Sequence, residues 1–225
     1  GASEKVADLS TISAENDKKV IAINHAATSA QVDRAQRDAD NSPATTMTDA
    51  LGSRLGTLYA AAIGAGKLPK TQAILDRVAS GLGGADAAKP YFQYLRPYVR
   101  MGLASQGGLI YDNKTGGYDG LAGSGSYPSG HTFGGYTFGT TMATLLPELA
   151  PQLLARASEY GNNRIILGFH YPLDVMGGRM DAQATVAHRW ADPAFADLML
   201  QAHDELEQVL VQECQANGYG DTLAV

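Results

Sequence analysis

The residues with the clearest chemical potential lie between Gly125 and His131, where a glycine-rich loop meets a predicted helix. Backbone N–H groups left without partners, together with the helix dipole, make such a junction suited to holding an anion. Gly130 lets a ligand approach the backbone closely, and Ser129 adds a hydroxyl donor. His131 can carry a proton near neutral pH. Alone, the stretch is better explained as a Ser N-cap followed by a buried histidine. An anion-binding site is indicated only if other segments of the chain supply further suitable residues.

Two other segments contain charged and polar side chains that fit poorly into an apolar core. The first holds Lys89 and, followed by a proline, Arg96. In the second, Arg164 and His170 are embedded among apolar residues at a predicted helix end. Buried charges there need acidic partners or an anionic ligand. Asp174 lies within reach of the His170 imidazole, because a proline before it fits the first turn of a new helix.

Each of these residues has an ordinary explanation when considered alone. Lys89 and Arg96 would be surface cations, and Arg164 would form an ion pair at a helix end. His170 and Asp174 would be a hydrogen-bonded core pair. Together the three segments supply three cations, a hydroxyl, a glycine amide and two imidazoles. That set is suited to a tetrahedral oxyanion, and the separate explanations account for it poorly.

The three motifs Lys-x6-Arg-Pro, Pro-Ser-Gly-His and Arg-x5-His-x3-Asp span residues 89–174. Their pattern resembles that of the type 2 phosphatidic acid phosphatase and vanadium haloperoxidase superfamily. Within that superfamily, the sequence from Gly125 to Thr132 is similar to the bacterial class A non-specific acid phosphatases. The resemblance implies a metal-independent acid phosphatase that hydrolyses phosphomonoesters through a phosphohistidine. Asn163 departs from the serine usual before the arginine. We expect it to change a hydrogen bond without loss of activity.

The resemblance also implies a role for each matching residue. His170 would be the nucleophile, and Asp174 would accept a hydrogen bond from its other ring nitrogen. His131 would protonate the leaving group and then activate water. The phosphate oxygens would be held by Lys89, Arg96, Ser129, Gly130 and Arg164. No metal or other cofactor is implied, although phosphate or vanadate can occupy such a site, and vanadate would inhibit it.

An acid pH optimum follows from these roles. His170 must be neutral while His131 is protonated, and the ordinary pKa of both is about 6.5. Asp174 should raise the pKa of His170, whereas the cations should lower it, and the sequence does not decide between them. We expect a bell-shaped activity profile on the acid side of neutral.

The hydrophobic periodicity predicts an all-α, single-domain helical bundle over residues 1–225, with the motifs in a core of about 89–174. Residues 98–127 have little periodicity and predict a long functional loop, such as a lid or pocket wall, in which Tyr98, Tyr111, Tyr118 and Tyr127 either contact substrate or pack. Pro97 is predicted to end the short helix before this loop. The predicted helices cover about 10–40, 48–64, 70–82, 88–96, 129–146, 150–168, 172–190 and 194–215.

Composition narrows the possible partners. A net charge of −6 argues against nucleic-acid binding. Cys214 is the single cysteine, so no intrachain disulfide can form. The sequence has no run of eighteen apolar residues, so it predicts no membrane span.

The expected location follows from the resemblance. No signal-peptide pattern is present, and the Gly1 start fits a processed end. We therefore expect a periplasmic or secreted protein whose signal peptide has been removed.

Several alternatives stay open at this point. A vanadium haloperoxidase would bind vanadate through His170, although such enzymes usually have longer chains. A phosphatase could be restricted to lipid phosphates or diphosphates, or to inositol phosphates or nucleotides, and small phosphorylated molecules are the expected substrates. A phosphate-binding module without activity would not need the pair of His170 and Asp174. The oligomeric state is open, with a homodimer or higher homo-oligomer among the possibilities.

Overall fold

The computed structural model describes residues 9–80, 84–101, 123–221 and 223. These residues form helices and no β-strand, so the predicted all-α fold class is confirmed. The helices are α1 (Leu9–Ala26), α2 (Ser29–Asp40), α3 (Pro43–Met47), α4 (Gly52–Gly64), α5 (Pro69–Ala79), α6 (Gly84–Phe92), α7 (Pro97–Met101), α8 (Gly130–Leu145), α9 (Ala150–Ile166), α10 (Pro172–Trp190) and α11 (Pro193–Ala216), with 3₁₀ turns at Thr48–Leu51 and Pro147–Leu149.

The predicted single helix over 10–40 is instead two helices, α1 and α2, and this prediction was wrong. A capping box begins the second helix at Thr28. The Gln31 backbone N–H donates to Thr28 Oγ1 at 3.3 Å, and the Thr28 backbone N–H donates to Gln31 Oε1 at 2.9 Å. Because this reciprocal pair satisfies the donors of a helix start, it favours a new helix over continuation of α1.

Pro97 begins α7, whereas the sequence was expected to place it at a helix end. Its fixed φ and missing N–H suit the first turn of a helix, and the Arg100 N–H donates to the Arg96 carbonyl at 3.0 Å. Helix α6 ends earlier, at Phe92, and residues 93–96 are not helical. The predicted loop over 98–127 therefore starts with one helical turn. Most of it, 102–122 with Tyr111 and Tyr118, lies outside the described residues.

Helix α8 forms the centre of the bundle and packs along both α9 and α10. Small residues allow this close packing. A Cβ atom on Gly135 would lie 2.6 Å from the Tyr160 ring, and one on Gly139 would lie 2.8 Å from Ala157 Cβ. Large apolar side chains fill the space around the crossing. Buried examples are Met47, Leu55, Phe133, Met142, Leu153, Phe195 and Leu206.

The first turn of α10 lies directly against the start of α8. A Cβ atom on Gly178 would lie 2.4 Å from the Ser129 carbonyl oxygen, so only glycine permits this approach. In addition, the Ser129 backbone N–H donates to the Asp174 carbonyl at 3.0 Å. Backbone contacts thus fix the Pro-Ser-Gly-His segment relative to the segment that carries His170.

Candidate active site

The end of α9 fixes the position of the segment that follows Arg164. Gly168 has φ of 68°, a left-handed conformation that glycine adopts without strain. The Phe169 N–H donates to the Arg164 carbonyl at 3.0 Å, and the Gly168 N–H donates to the Ile165 carbonyl at 2.9 Å. This is the hydrogen-bond pattern of a Schellman motif. The glycine therefore turns the chain so that His170 directly follows the end of the helix.

Helix α10 begins two residues after His170. Pro172 occupies the first helical position, and the Tyr171 backbone N–H donates to Asp174 Oδ2 at 2.8 Å. The Ser126 hydroxyl also donates to Asp174 Oδ2. The carboxylate is buried, with 1% of its residue surface exposed. Asp174 thus caps its own helix while lying behind the imidazole.

His170 is buried between a cation and this carboxylate. Its Nε2 lies 3.1 Å from Arg96 Nη1, and its Nδ1 lies 3.4 Å from Asp174 Oδ2. Since a guanidinium only donates, Nε2 accepts in this arrangement and the ring proton is on Nδ1. The distance to Asp174 is that of an ion pair and longer than an ordinary hydrogen bond.

Ser129 and His131 are held at the start of α8. Ser129 is the N-cap, and its Oγ accepts from the Thr132 backbone N–H at 3.2 Å. His131 hydrogen-bonds to the backbone of Ala39, at the end of α2. Its ring stacks on the Tyr160 ring, with centroids 6.0 Å apart and planes 27° from parallel. The imidazole therefore has contacts on two sides that fix its orientation.

The cations reach the site from three different elements. Lys89 on α6 pairs with Asp86 through Nζ and Oδ1 at 2.7 Å. Arg96 is buried, and its Nη1 also donates to the Phe169 carbonyl at 3.2 Å. Arg164 on α9 is buried as well, with its Cζ 4.2 Å from the centre of the Phe169 ring.

These side chains meet at a cavity of about 470 Å³. Of the sequence-predicted residues, Ser129 and Asp174 do not line it and lie behind its wall. In the described part of the chain, no three His, Cys, Asp or Glu side chains lie where they could share a metal ion. The cavity is lined by Asp40, Asn41, Ser42, Pro43, Asp86, Lys89, Arg96, Gly130, His131, Gly134, Tyr160, Arg164 and His170.

Burial and charge shift the acid–base behaviour of the site. Burial and the charges of Arg96, Arg164 and Lys89 lower the pKa of His170 well below 6.5. Burial and the nearby cations likewise lower the pKa of His131, while its hydrogen bond to the Ala39 backbone raises it. The sequence did not decide whether the pKa of His170 is raised or lowered, and in the structure the effects that lower it are the stronger ones. Burial raises the pKa of Asp174 from 3.8 to about 6, although hydrogen bonds from Ser126 and Tyr171 act against this.

Some residues that line the cavity or lie behind its wall were missed in the sequence. Ser126 stands inside the Gly125–His131 stretch, but serine near a turn is too common to indicate a bond to Asp174. Asp86 lies three residues before Lys89, a spacing that places both on one helix face and could have suggested their pairing. The segment 40–43 is far from the motifs along the chain and carries no chemical pattern of its own.

Comparison with known proteins identifies the family of the chain. The model of the PAP2 superfamily matches residues 73–194, which include every sequence-predicted site residue. The chain therefore belongs to the PAP2 superfamily, and the predicted resemblance is confirmed.

Among its relatives, the non-specific acid phosphatase of Providencia stuartii is 32% identical over 55% of this chain and 47% of its own. The acid phosphatase of Zymomonas mobilis is 38% identical over 40% of this chain and 34% of its own. The non-specific acid phosphatase of Salmonella typhimurium is 32% identical over 53% of this chain and 45% of its own. The chain thus spans about half the length, or less, of these curated relatives.

Proposed function

We propose that this protein is an acid phosphatase that hydrolyses small phosphomonoesters without a metal ion, through a phosphohistidine on His170. The observation that carries the proposal is the shared cavity of about 470 Å³. There the Nε2 of a buried imidazole, three cations and a second imidazole converge on a space suited to one tetrahedral dianion. The names of the relatives quoted above support the same activity.

The reaction would proceed in two displacements. In the first, His170 Nε2 attacks phosphorus while the bond to the ester oxygen breaks and protonated His131 gives its proton to that oxygen. In the second, His131 takes a proton from water as the water attacks phosphorus, which releases His170 and inorganic phosphate. Asp174 stabilises the positive charge on the His170 ring in the intermediate.

The donors of the cavity would act mainly by holding charge. Arg96 would move its Nη1–H from His170 Nε2 onto a phosphate oxygen, which exposes the lone pair that attacks. Lys89, Arg164 and the Gly130 amide at the start of α8 would bind the remaining oxygens, while Ser129, which does not line the cavity, caps that helix start and holds the amide in place. Since phosphoryl transfer depends on positioning and on stabilising charge, such a set of donors suffices without a redox group.

Substrate binding would reverse part of the lowering of the His131 pKa. A phosphate dianion next to His131 favours its protonated form, because an opposite charge nearby stabilises the cation. This offsets the lowering caused by Arg96 and Arg164. His170 stays neutral in the acid range, because its pKa lies well below 6.5. Together these effects support an acid pH optimum.

The direct test is hydrolysis of p-nitrophenyl phosphate by the purified protein with EDTA present, with inhibition by vanadate as a second readout. We expect turnover in EDTA, and brief mixing with labelled substrate should trap an acid-labile phosphoramidate. His170→Ala should abolish both while inorganic phosphate still binds. Retained turnover in this variant would contradict the nucleophile assignment. Bromide oxidation with vanadate and peroxide, without phosphatase activity, would instead identify a haloperoxidase.

We further propose that the protein acts in the periplasm or outside the cell. Among the described helices, none is both long and apolar enough to cross a membrane. Fractionation of cells that express the native gene tests the location. Activity confined to the cytoplasmic fraction would contradict it.

A further inference from the structure

A buried polar cluster lies directly behind the wall of the cavity. Asp38 on α2 is 2% exposed, and Arg156 and Asn163 on α9 are 5% and 3% exposed. Arg156 Nη2 donates to Asp38 Oδ1, and Asn163 Nδ2 donates to Asp38 Oδ2 at 2.7 Å. Both carboxylate oxygens are therefore held from one neighbouring helix.

Asn163 stands directly before Arg164 in the chain, and its side chain contacts Asp38 instead of the cavity. Residues 156, 160 and 163 follow one another at intervals of four and three, so they lie on one face of α9. Tyr160, between the two partners of Asp38, stacks on the His131 ring. One helix face thus contacts both the end of α2 and the candidate general acid.

The end of α2 connects this cluster to His131, the candidate general acid. Ala39, which directly follows Asp38, accepts the hydrogen bond from His131. Helix α2 ends at Asp40, so the carbonyls of its last turn have no partner within the helix. That end also carries the negative pole of the helix dipole, which favours a protonated imidazole. The position of the last turn therefore helps to orient the ring, and it acts against the lowering of the His131 pKa by burial and the cations.

We propose that Asp38, Arg156 and Asn163 are positioning residues that clamp the last turn of α2 so that its carbonyl orients His131 for proton transfer to the leaving group. The proposal rests on the proposed function, because it assigns His131 the role of general acid. The clamp acts through backbone and touches no substrate. The other charged or titratable groups at the cavity, which the clamp variants leave in place, are Asp40, Asp86, Lys89, Arg96, Tyr160, Arg164 and His170.

The sharpest test compares two esters that differ in how much the leaving group needs a proton. A p-nitrophenolate leaves readily unprotonated, whereas an alkoxide, as from β-glycerophosphate, does not. Asn163→Ala removes one hydrogen bond to Asp38 and changes no charge. We expect kcat/KM for the alkyl ester to fall on the order of tenfold more than kcat/KM for the aryl ester, because kcat/KM reports the steps up to departure of the leaving group and general-acid catalysis supplies large factors only where protonation is required.

Asp38→Asn serves as a second variant that keeps the shape of the side chain. Arg156 then retains Glu159, whose Oε2 lies 3.0 Å from its Nη1. The matched control is Thr71→Ala on α5, which removes a buried hydroxyl contact to Glu205 Oε2 at 3.0 Å, in a part of the bundle that does not line the cavity. The control should leave the ratio of alkyl to aryl rates unchanged. If Asn163→Ala leaves the ratio of alkyl to aryl rates unchanged, the proposal is overturned.

A readout without turnover separates this proposal from the proposed function. NMR titration of the His131 ring, with inorganic phosphate as the ligand, should show a lower pKa in Asn163→Ala than in the wild-type protein, and no change in Thr71→Ala. If the wild-type protein hydrolyses neither ester, the proposed function is wrong, but this titration still reports on the clamp. An identical His131 titration in all three proteins would refute the clamp itself.

Discussion

Arg96 Nη1 lies 3.1 Å from His170 Nε2, so the lone pair of the candidate nucleophile accepts a hydrogen bond from this guanidinium. The same guanidinium donates to the Phe169 carbonyl at 3.2 Å and, through Nε, to the Ser124 carbonyl at 3.0 Å. In the proposed mechanism, these backbone contacts would hold the guanidinium while one N–H turns to a phosphate oxygen. The cation proposed to bind the substrate would then also cover the atom proposed to attack it.

Replacing Arg96 should affect both binding and the titration of the nucleophile. We expect Arg96→Ala to lower kcat/KM on the order of 10²–10³-fold, as for loss of one strong transition-state donor. The pKa of His170 should rise, because the charge of Arg96 is one of the causes that lower it. Steady-state kinetics and NMR titration of the ring measure the two effects. A lower kcat/KM with an unchanged His170 titration would contradict this arrangement.

Asp174→Asn should lower activity, and its effect on stability should depend on pH. The variant loses the charge that stabilises the His170 cation, and kcat should fall by about 10² or more. Burial raises the pKa of Asp174 from 3.8 to about 6, so the native state binds this proton more tightly than the unfolded chain does. The contribution of Asp174 to stability therefore decreases as pH rises from about 4 to 6.

Because Asp174→Asn removes this ionisation, the substitution should be more favourable to stability at pH 7 than at pH 4, by up to about 3 kcal/mol in the free energy of unfolding. Urea denaturation of the variant and the wild-type protein at the two pH values measures the difference. A stability difference that is independent of pH would show that burial does not disfavour the carboxylate in this way.

The two histidines should produce a loss of stability in acid. The pKa values of His131 and His170 are lowered in the folded protein, so the unfolded chain binds more protons below pH 6.5. Each group then lowers the free energy of unfolding by up to about 1.4 kcal/mol per pH unit as the pH falls below 6.5. Inorganic phosphate should reduce the loss, because it binds only the folded cavity. A phosphate effect retained in His170→Ala and absent from Arg164→Ala would agree with binding by the cations.

Asp86 should weaken phosphate binding by neutralising Lys89. Its Oδ1 lies 2.7 Å from Lys89 Nζ, and its side chain is 70% exposed. We expect Asp86→Asn to bind inorganic phosphate on the order of fivefold more tightly, about 1 kcal/mol after solvent screening, with a smaller gain at high salt. Asp204→Asn on α11 is the control for net charge, since Asp204 is exposed and does not line this cavity. Equal gains in both variants would mean that only net charge matters.

Gly178→Ala should disturb the contact between α10 and the start of α8. The added Cβ would lie 2.4 Å from the Ser129 carbonyl oxygen, so backbone must shift. We expect a loss of about 1–3 kcal/mol in stability together with reduced kcat, because Ser129 and Asp174 move apart. Gly64→Ala, on α4 with open space around the new Cβ, should be neutral or slightly stabilising. Calorimetry and kinetics of the two variants test this, and a fully active, stable Gly178→Ala would contradict it.

The sequence predicted the helix boundaries in the motif segments well, because several local signals there indicate the same boundaries. Gly168 ends α9, Pro172 begins α10, and the carboxylate of Asp174 caps it, all within a short stretch after Arg164. The break between α1 and α2 was also present in the sequence as Thr28 and Gln31, yet the apolar periodicity continues across it and suggests one helix. Local capping outweighed periodicity there.

The contribution of α2 to the cavity could not be predicted from the sequence. Asp38 meets Asn163 at a separation of 125 residues, and neither residue type indicates the other. The stacking of His131 on Tyr160 likewise depends on Gly135, whose missing side chain makes room for the Tyr160 ring. Such contacts follow from how helices cross, and one-dimensional patterns carry little information about crossing geometry.

The junction between Ser129 and Asp174 is made of main-chain atoms, with Gly178 pressed against it. Amides and carbonyls are common to all residues, so the separation of the two imidazoles does not depend on the chemistry of the side chains at the cavity mouth. Substitutions at the cavity mouth would therefore change which molecules enter the cavity while the distance between the His131 and His170 rings stays the same.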